Sequence, residues 1–255
     1  MEFASGKYFK VVIFLDRIKY FWGKFEMVKI IMFPYAGSIG YAYQKIISYF
    51  DKSKYMIYMI DLNGRGERVD YDSYTTWDQL IDGVCQQVIE IISVDSDDYI
   101  LFGHSMGAKI AYDVYLKLKE KEYKSPLYIV FSGCKTHDQV NEYNKLLKIP
   151  QKNFEQEYIS LGGIPKEILQ DDDFKDYIFE VIKEDLRLLI QYKPKSKKIV
   201  DRIIVLNGIN DENSSVSDWK HLCSRITYKI YPGNHFFIFQ YPQEVVSDIC
   251  NIVEN

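Results

Sequence analysis

The chain is predicted to adopt an α/β fold, a mostly parallel sheet with helices on both faces and a helical insertion between two of its strands. Three observations carry this. Short β-rich runs alternate with longer helical patterns from Met27 onward, the order that lays strands side by side and helices across the sheet faces. The strand runs are continuously apolar rather than strictly alternating, which suits strands buried on both faces. One interval, from about residue 135 to 198, carries helical patterns only, and a structureless loop of that length is implausible inside a compact domain.

In chain order the candidate strands are VKIIMF, YMIYMI, YILF, LYIVFS, RIIVL and ITYKIY. Between the second and third, TTWDQLIDGVCQQVIEIIS opens with Thr76 and Gln79 at capping-box spacing and sets Leu80, Val84, Val88 and Ile91 on one stripe. MGAKIAYDVYLKL reads as a helix directly after the third strand. In the interval without strands, DDDFKDYIFEVIKEDLRLLIQY is helical, with Gly162, Gly163 and Pro165 in the turns before it. The basic turn KPKSKK reads as a solvated corner. PQEVVSDICNIVEN closes the chain as a helix with proline in its first turn.

Composition narrows the function classes. At 255 residues, 47% hydrophobic and 16% aromatic, the chain can bury a sizeable core. A net charge of −4 with both signs interspersed makes no field that would draw nucleic acid. Cys85, Cys134, Cys223 and Cys250 are far apart and lack CxxC or CxxH spacing, so neither a zinc site nor a disulfide framework is expected. They read as the reduced thiols of a cytoplasmic protein. No apolar run approaches the roughly 18 residues of a membrane span.

The domain is expected over 27–255, with 1–26 as an N-terminal extension of uncertain structure. The VVIFL run in that extension, flanked by Lys10 and Asp16, is too short for a signal h-region. A poorly docked tail or an over-extended start competes there with a basic amphipathic helix whose apolar side is Val12, Ile13, Ile18 and Trp22.

The chemistry is signalled by LFGHSMGAKIAYDVYL. A G-x-S-x-G string alone arises in roughly one chain in ten of this length, but here a strand precedes it and a helix follows, the context of a nucleophile elbow. Gly103 and Gly107 permit the tight turn and Ser105 stands at its tip; the bland reading is a serine that merely caps the helix. A serine hydroxyl needs a base. Of the four histidines, His104 adjoins Ser105 but points elsewhere, His137 begins the insertion, and His221 suits solvent. His235, in YPGNHFFIF after the last strand, falls at the carboxyl edge of the sheet, where ligand and catalytic groups gather.

Asp211, in NGIND after the fifth strand, can orient the imidazole; its bland reading is a turn-forming aspartate. The order Ser105, Asp211, His235 is that of α/β-hydrolases. Backbone amides of Met106 and of Ala36, with Gly37 beside it, are candidates for an oxyanion hole.

FPYAG, DLNGRGER, GHSMGA, LGGIPKEIL, GIND and GNHFF, in this order, resemble the type II thioesterases of nonribosomal peptide and polyketide synthesis. The similarity runs from about Lys29 to the C-terminus. It implies an α/β-hydrolase fold with a helical lid at about 135–198, and hydrolysis of acyl thioesters on the phosphopantetheine arm of an acyl or peptidyl carrier protein. It implies Ser105 as nucleophile, His235 as base, Asp211 as acid, Ala36 and Met106 as oxyanion donors, and no cofactor. Phe174, Tyr177, Ile178, Val181 and Leu188 are available as lid wall. Asn63, Ser38 and Lys183 depart from the family pattern, which usually has proline, glycine and arginine there. The competing readings are a carboxylesterase or medium-chain acyl-thioester hydrolase without a carrier partner, and a noncatalytic hydrolase-fold binding protein.

Overall fold

The computed structural model describes residues 27–39, 42–95, 97–136, 139–165, 167–212 and 219–254. The readings made for 1–26 and for His137 lie outside them. Six strands form one sheet, β1 (Val28–Phe33), β2 (Tyr55–Met59), β3 (Tyr99–His104), β4 (Tyr128–Ser132), β5 (Ile203–Gly208) and β6 (Ile226–Tyr231), in the order β2-β1-β3-β4-β5-β6. Every neighbouring pair is parallel, so the sheet is wholly rather than mostly parallel.

Successive side chains on a strand point to opposite faces, and the core divides accordingly. Ile31, Phe33, Leu101, Ile129, Phe131, Ile203 and Val205 lie in one buried cluster; Ile30, Met32, Ile100, Phe102, Val130, Ile204 and Leu206 lie in the other. Because both faces are covered, β3, β4 and β5 are buried at every position. The outer strands differ: β2 and β6 are mostly half-buried, since an edge strand has a neighbour on one side only.

The helices are α1 (Gln44–Ile47), α2 (Trp77–Ile92), α3 (Met106–Glu120), α4 (Val140–Leu146), α5 (Gln151–Leu161), α6 (Asp172–Leu189), α7 (Phe237–Gln240) and α8 (Pro242–Glu254). The cap of α2 is half of the predicted box. The Thr76 side chain accepts from the Gln79 amide, but the Gln79 side chain accepts from the backbone and hydroxyl of Thr75, one residue early. α4, α5 and α6 all lie between β4 and β5.

The basic turn is solvent-exposed at every residue from 193 to 198, as expected, and is tied down as well. Lys195 pairs with buried Asp113 at 3.2 Å, Lys197 pairs with Glu120, and the carbonyls of Lys195 and Lys197 accept from the Tyr112 hydroxyl. The segment is a strap across α3, whose Asp113 also accepts from Trp77 Nε1 at 2.8 Å. Among the described residues no helix is long and apolar enough to cross a membrane.

Candidate active site

The strand order reverses direction around β1, with loops after β1 and β3 leaving toward opposite faces, and such a switch point opens a crevice at the carboxyl ends of the strands. Ser105 sits there, between β3 and α3, with φ 55° and ψ −118°. A non-glycine residue in that region costs of order 1–3 kcal/mol. The surrounding sequence imposes it. A Cβ on Gly103 would stand 2.1 Å from the Gly107 carbonyl oxygen, and one on Gly107 would stand 2.4 Å from that of Phe33. The glycines let α3 lie against the end of β1 and force the turn onto the residue between them. Its side chain makes no capping hydrogen bond to α3, so helix capping does not account for a serine here.

Two further loops meet at the same edge. β5 ends at Gly208, where a Cβ would fall 2.4 Å from the Asn234 carbonyl oxygen; the loop after β6 therefore packs directly on it, and the Asn210 amide donates to the Gly233 carbonyl at 3.0 Å. This stitching brings Asp211 to His235, whose Nδ1 donates to Asp211 Oδ2 at 2.9 Å with both side chains buried. Gly133, just after β4 with φ +55°, forms the floor: a Cβ there would lie 2.6 Å from His104 Cε1 and 3.4 Å from Asp211 Oδ2.

His104 is fully buried, hydrogen-bonds Ser132 Oγ through Nδ1 at 2.9 Å and lies 4.9 Å, centroid to centroid, from the His235 ring. Burial, and then repulsion from His235, hold its pKa well below the ordinary histidine value, so it stays a neutral packing partner. His221 is exposed.

Ser105 and His235 line one cavity of about 500 Å³ together with Ala36, Gly133 and Cys134, and with Lys109, Glu142, Lys145 and Glu212 as polar groups. Beside it lies a second cavity of about 550 Å³ with a mainly apolar lining that includes Ile39, Met59, Ile164, Ile168, Phe174, Ile178 and Ile182. Tyr35, Ala36, Tyr158 and Phe236 border both. Of the wall residues expected from the sequence, Phe174 and Ile178 face the apolar cavity. Tyr177, Val181 and Leu188 line neither cavity. Val181 and Leu188 are buried, and Tyr177 is an exposed ring stacked on Phe174 at 6.1 Å.

Two amides are available at the rim. Met106 is the first residue of α3, and an N–H in a helix's first turn has no intrahelical acceptor. The Ala36 amide meets no protein acceptor among the described residues. Gly37, considered beside it, is different: its N–H donates to Asp185 Oδ2 at 2.8 Å. The same carboxylate receives both terminal nitrogens of Arg65. Burial opposes the guanidinium charge, yet the charge of Asp185 and its hydrogen bonds outweigh burial and raise the Arg65 pKa. Asp185, Gly133, Tyr158 and Phe236 went unrecognised as site residues in the sequence. The signal for Asp185 was an acid at a core-facing position of α6, in line with Ile178 and Ile182.

The departures from the family pattern are accommodated locally. Asn63 Oδ1 accepts from Arg68 Nε at 2.8 Å, the Ser38 carbonyl accepts from Arg65 at 3.4 Å, and Lys183 pairs with Glu180 on α6 at 2.7 Å.

The thioesterase domain family matches residues 28–253. The chain is 24% identical over 228 residues to the gramicidin S biosynthesis protein GrsT of Aneurinibacillus migulanus, covering 88% of each. It is 32% identical over 168 residues to the medium-chain S-acyl fatty acid synthase thioesterase of Anas platyrhynchos, covering 62% of this chain and 66% of that one. Among solved structures, ClbQ of the colibactin pathway superposes with a TM-score of 0.77 at 23% identity, covering 89% of this chain and 97% of that one. The RedJ thioesterase of Streptomyces coelicolor superposes with a TM-score of 0.75 at 22% identity, covering 87% and 89%. Those likenesses show the α/β-hydrolase fold of thioesterases, and with a family match spanning nearly the whole described chain, this protein belongs to the thioesterase domain family of hydrolases.

Proposed function

We propose that this thioesterase is a type II enzyme that hydrolyses acyl groups from the phosphopantetheine arm of acyl or peptidyl carrier proteins, with Ser105 as nucleophile, His235 as base and Asp211 as its orienting acid. The observation that supports the triad best is the buried His235–Asp211 hydrogen bond at the edge of the cavity that Ser105 lines. Because Nδ1 of His235 is committed to Asp211, the other ring nitrogen, Nε2, is the one left to act as a base. The names of relatives in gramicidin S and cadicidin biosynthesis support the carrier-bound substrate.

The reaction runs in two acyl transfers. Ser105 Oγ attacks the thioester carbonyl while His235 Nε2 takes its proton, and the oxyanion is received by the amides of Ala36 and Met106. Collapse breaks the carbon–sulfur bond, and the proton on His235 goes to the departing sulfur. A thiol with a pKa near 8.5 leaves with less protonation than an alcohol would require. Water then attacks the acyl-serine, giving its proton to His235, which returns it to Ser105 Oγ. The products are a carboxylic acid and the free thiol. The apolar cavity suits the acyl chain, and the polar-lined one suits the amide-rich arm.

A test compares one acyl group on a holo-carrier protein, on a short pantetheine thioester and on nitrophenol. Remote binding energy raises turnover only when the remote part is present, so kcat/KM on the carrier is expected to exceed the small substrates by about tenfold or more. Equal efficiency on all three would defeat the carrier reading. It would favour a medium-chain acyl hydrolase without a carrier partner, a reading for which the apolar cavity of about 550 Å³ leaves room.

A further inference from the structure

We propose that Asp185 is a positioning residue for the oxyanion loop, and that through it the seating of α6 sets the Ala36 amide. The inference rests on the reading of Ala36 as an oxyanion donor and concerns what holds that donor in place.

The start of the loop after β1 is a turn over Ala36 and Gly37, closed by the Ser38 amide donating to the Tyr35 carbonyl at 2.9 Å, and what seats that turn lies outside it. Three consecutive tethers hold it, and all lead away from β1. The Tyr35 hydroxyl donates to the Gly163 carbonyl, in the segment between α5 and α6, at 3.2 Å. The Gly37 amide donates to Asp185 Oδ2 on α6 at 2.8 Å. The Ser38 carbonyl accepts from Arg65, in the loop after β2, at 3.4 Å. Ala36 lies inside the turn between the first two tethers, so the turn orients its amide and α6 with its approach seats the turn.

Contact geometry says the same independently of the hydrogen bonds. Gly37 has φ +81°, and a Cβ there would fall 2.3 Å from Cγ1 of Ile182. Ile182 and Asp185 are three apart on α6 and therefore share a face. The loop is pressed against that face, leaving no room for a side chain between them.

Asp185 is suited to this task because its carboxylate collects three donors from two other segments. It accepts from Arg65 Nη1 at 2.8 Å, from Arg65 Nη2 and from the Gly37 amide, joining three segments at one buried ion pair. Stability alone gives Asp185 a use, since the Gly37 amide needs an acceptor and breaking a buried pair by removing one partner is costly whatever its role, so the positioning role is read from the rates and not from the midpoint. A pair that positions the loop must keep that acceptor.

The experiment separates these roles with two variants. Asp185→Asn keeps the shape and removes the charge; Arg65→Met/Asp185→Leu replaces the whole pair by apolar side chains, a change that buried pairs tolerate well in stability, and deletes the acceptor for Gly37. Two readouts are taken beside the thermal midpoint: kcat and KM on an acyl carrier, and the rate at which a fluorophosphonate labels Ser105, which needs the oxyanion site but no carrier. Asp185→Asn is expected to lower kcat and the labelling rate together by about 10- to 100-fold, part of the loss from deleting an oxyanion donor, with KM changed less than about threefold. The double variant is expected to recover the midpoint but not the rates. Recovery of both rates with the midpoint, or a change in KM alone, would overturn the proposal. Wild-type protein that labels at Ser105 but ignores acyl carriers would refute the carrier substrate and leave the labelling rates to decide Asp185; failure of wild type to label would remove both.

Discussion

Replacing Ser105 with alanine is expected to lower acyl-carrier turnover by about 10⁴-fold or more while leaving the thermal midpoint unchanged or slightly raised. The size follows from the chemistry: without the nucleophile the two-step path is closed, and what remains is attack by water in a site that still offers oxyanion donors, a residual typical of triad enzymes. The small effect on stability follows from the structure. Ser105 makes no capping bond to α3, and its backbone is bonded to Ser132 through an amide at 2.8 Å that alanine keeps. Steady-state rates and a melting curve on the same preparation check it. A variant retaining more than about one-hundredth of the wild-type rate would place the nucleophile elsewhere.

His235→Ala is expected to cost nearly as much, about 10⁴-fold in kcat, because nucleophile and base act as a unit and losing either loses most of the gain. Here stability does change: Asp211 would lose the buried charge-assisted hydrogen bond it accepts from the imidazole, and losing such a bond is destabilising. Rate must therefore be measured well below the new midpoint. His104 cannot stand in, although its ring is only 4.9 Å from that of His235; it is buried, hydrogen-bonded to Ser132 and not among the groups lining the cavity of Ser105. Full activity in His235→Ala would show the assignment of the base to be wrong.

The sheet was legible in the sequence because its signal is local. A continuous apolar run has one cheap solution in water, and each of the six runs is a strand within a residue or two. Ser105, Asp211 and His235 were legible for a related reason: each follows a strand, so topology alone sends all three to one edge. What escaped depends on contacts between segments far apart in the chain. Arg65 and Asp185 are separated by 120 residues, and nothing near Arg65 says that its partner lies on α6. The wall candidates could not be sorted further because amphipathic spacing shows which side of α6 is apolar, not whether that side meets a cavity, as Ile178 does, or packed core, as Val181 and Leu188 do. The strap at KPKSKK was hidden likewise, since Asp113 and Glu120 draw its lysines only once α3 lies beneath it.

The central claim is that the hydroxyl of Ser105 becomes acylated by the thioester it cleaves. The most direct measurement is the mass of the protein when an acyl-carrier reaction is quenched in acid within a few turnovers, followed by peptide mapping. A mass gain equal to the acyl group less one hydrogen, confined to the peptide bearing Ser105 and missing from Ser105→Ala, is the expected result. Hydrolysis that continues in Ser105→Ala, or an acyl group found on another side chain, would contradict it.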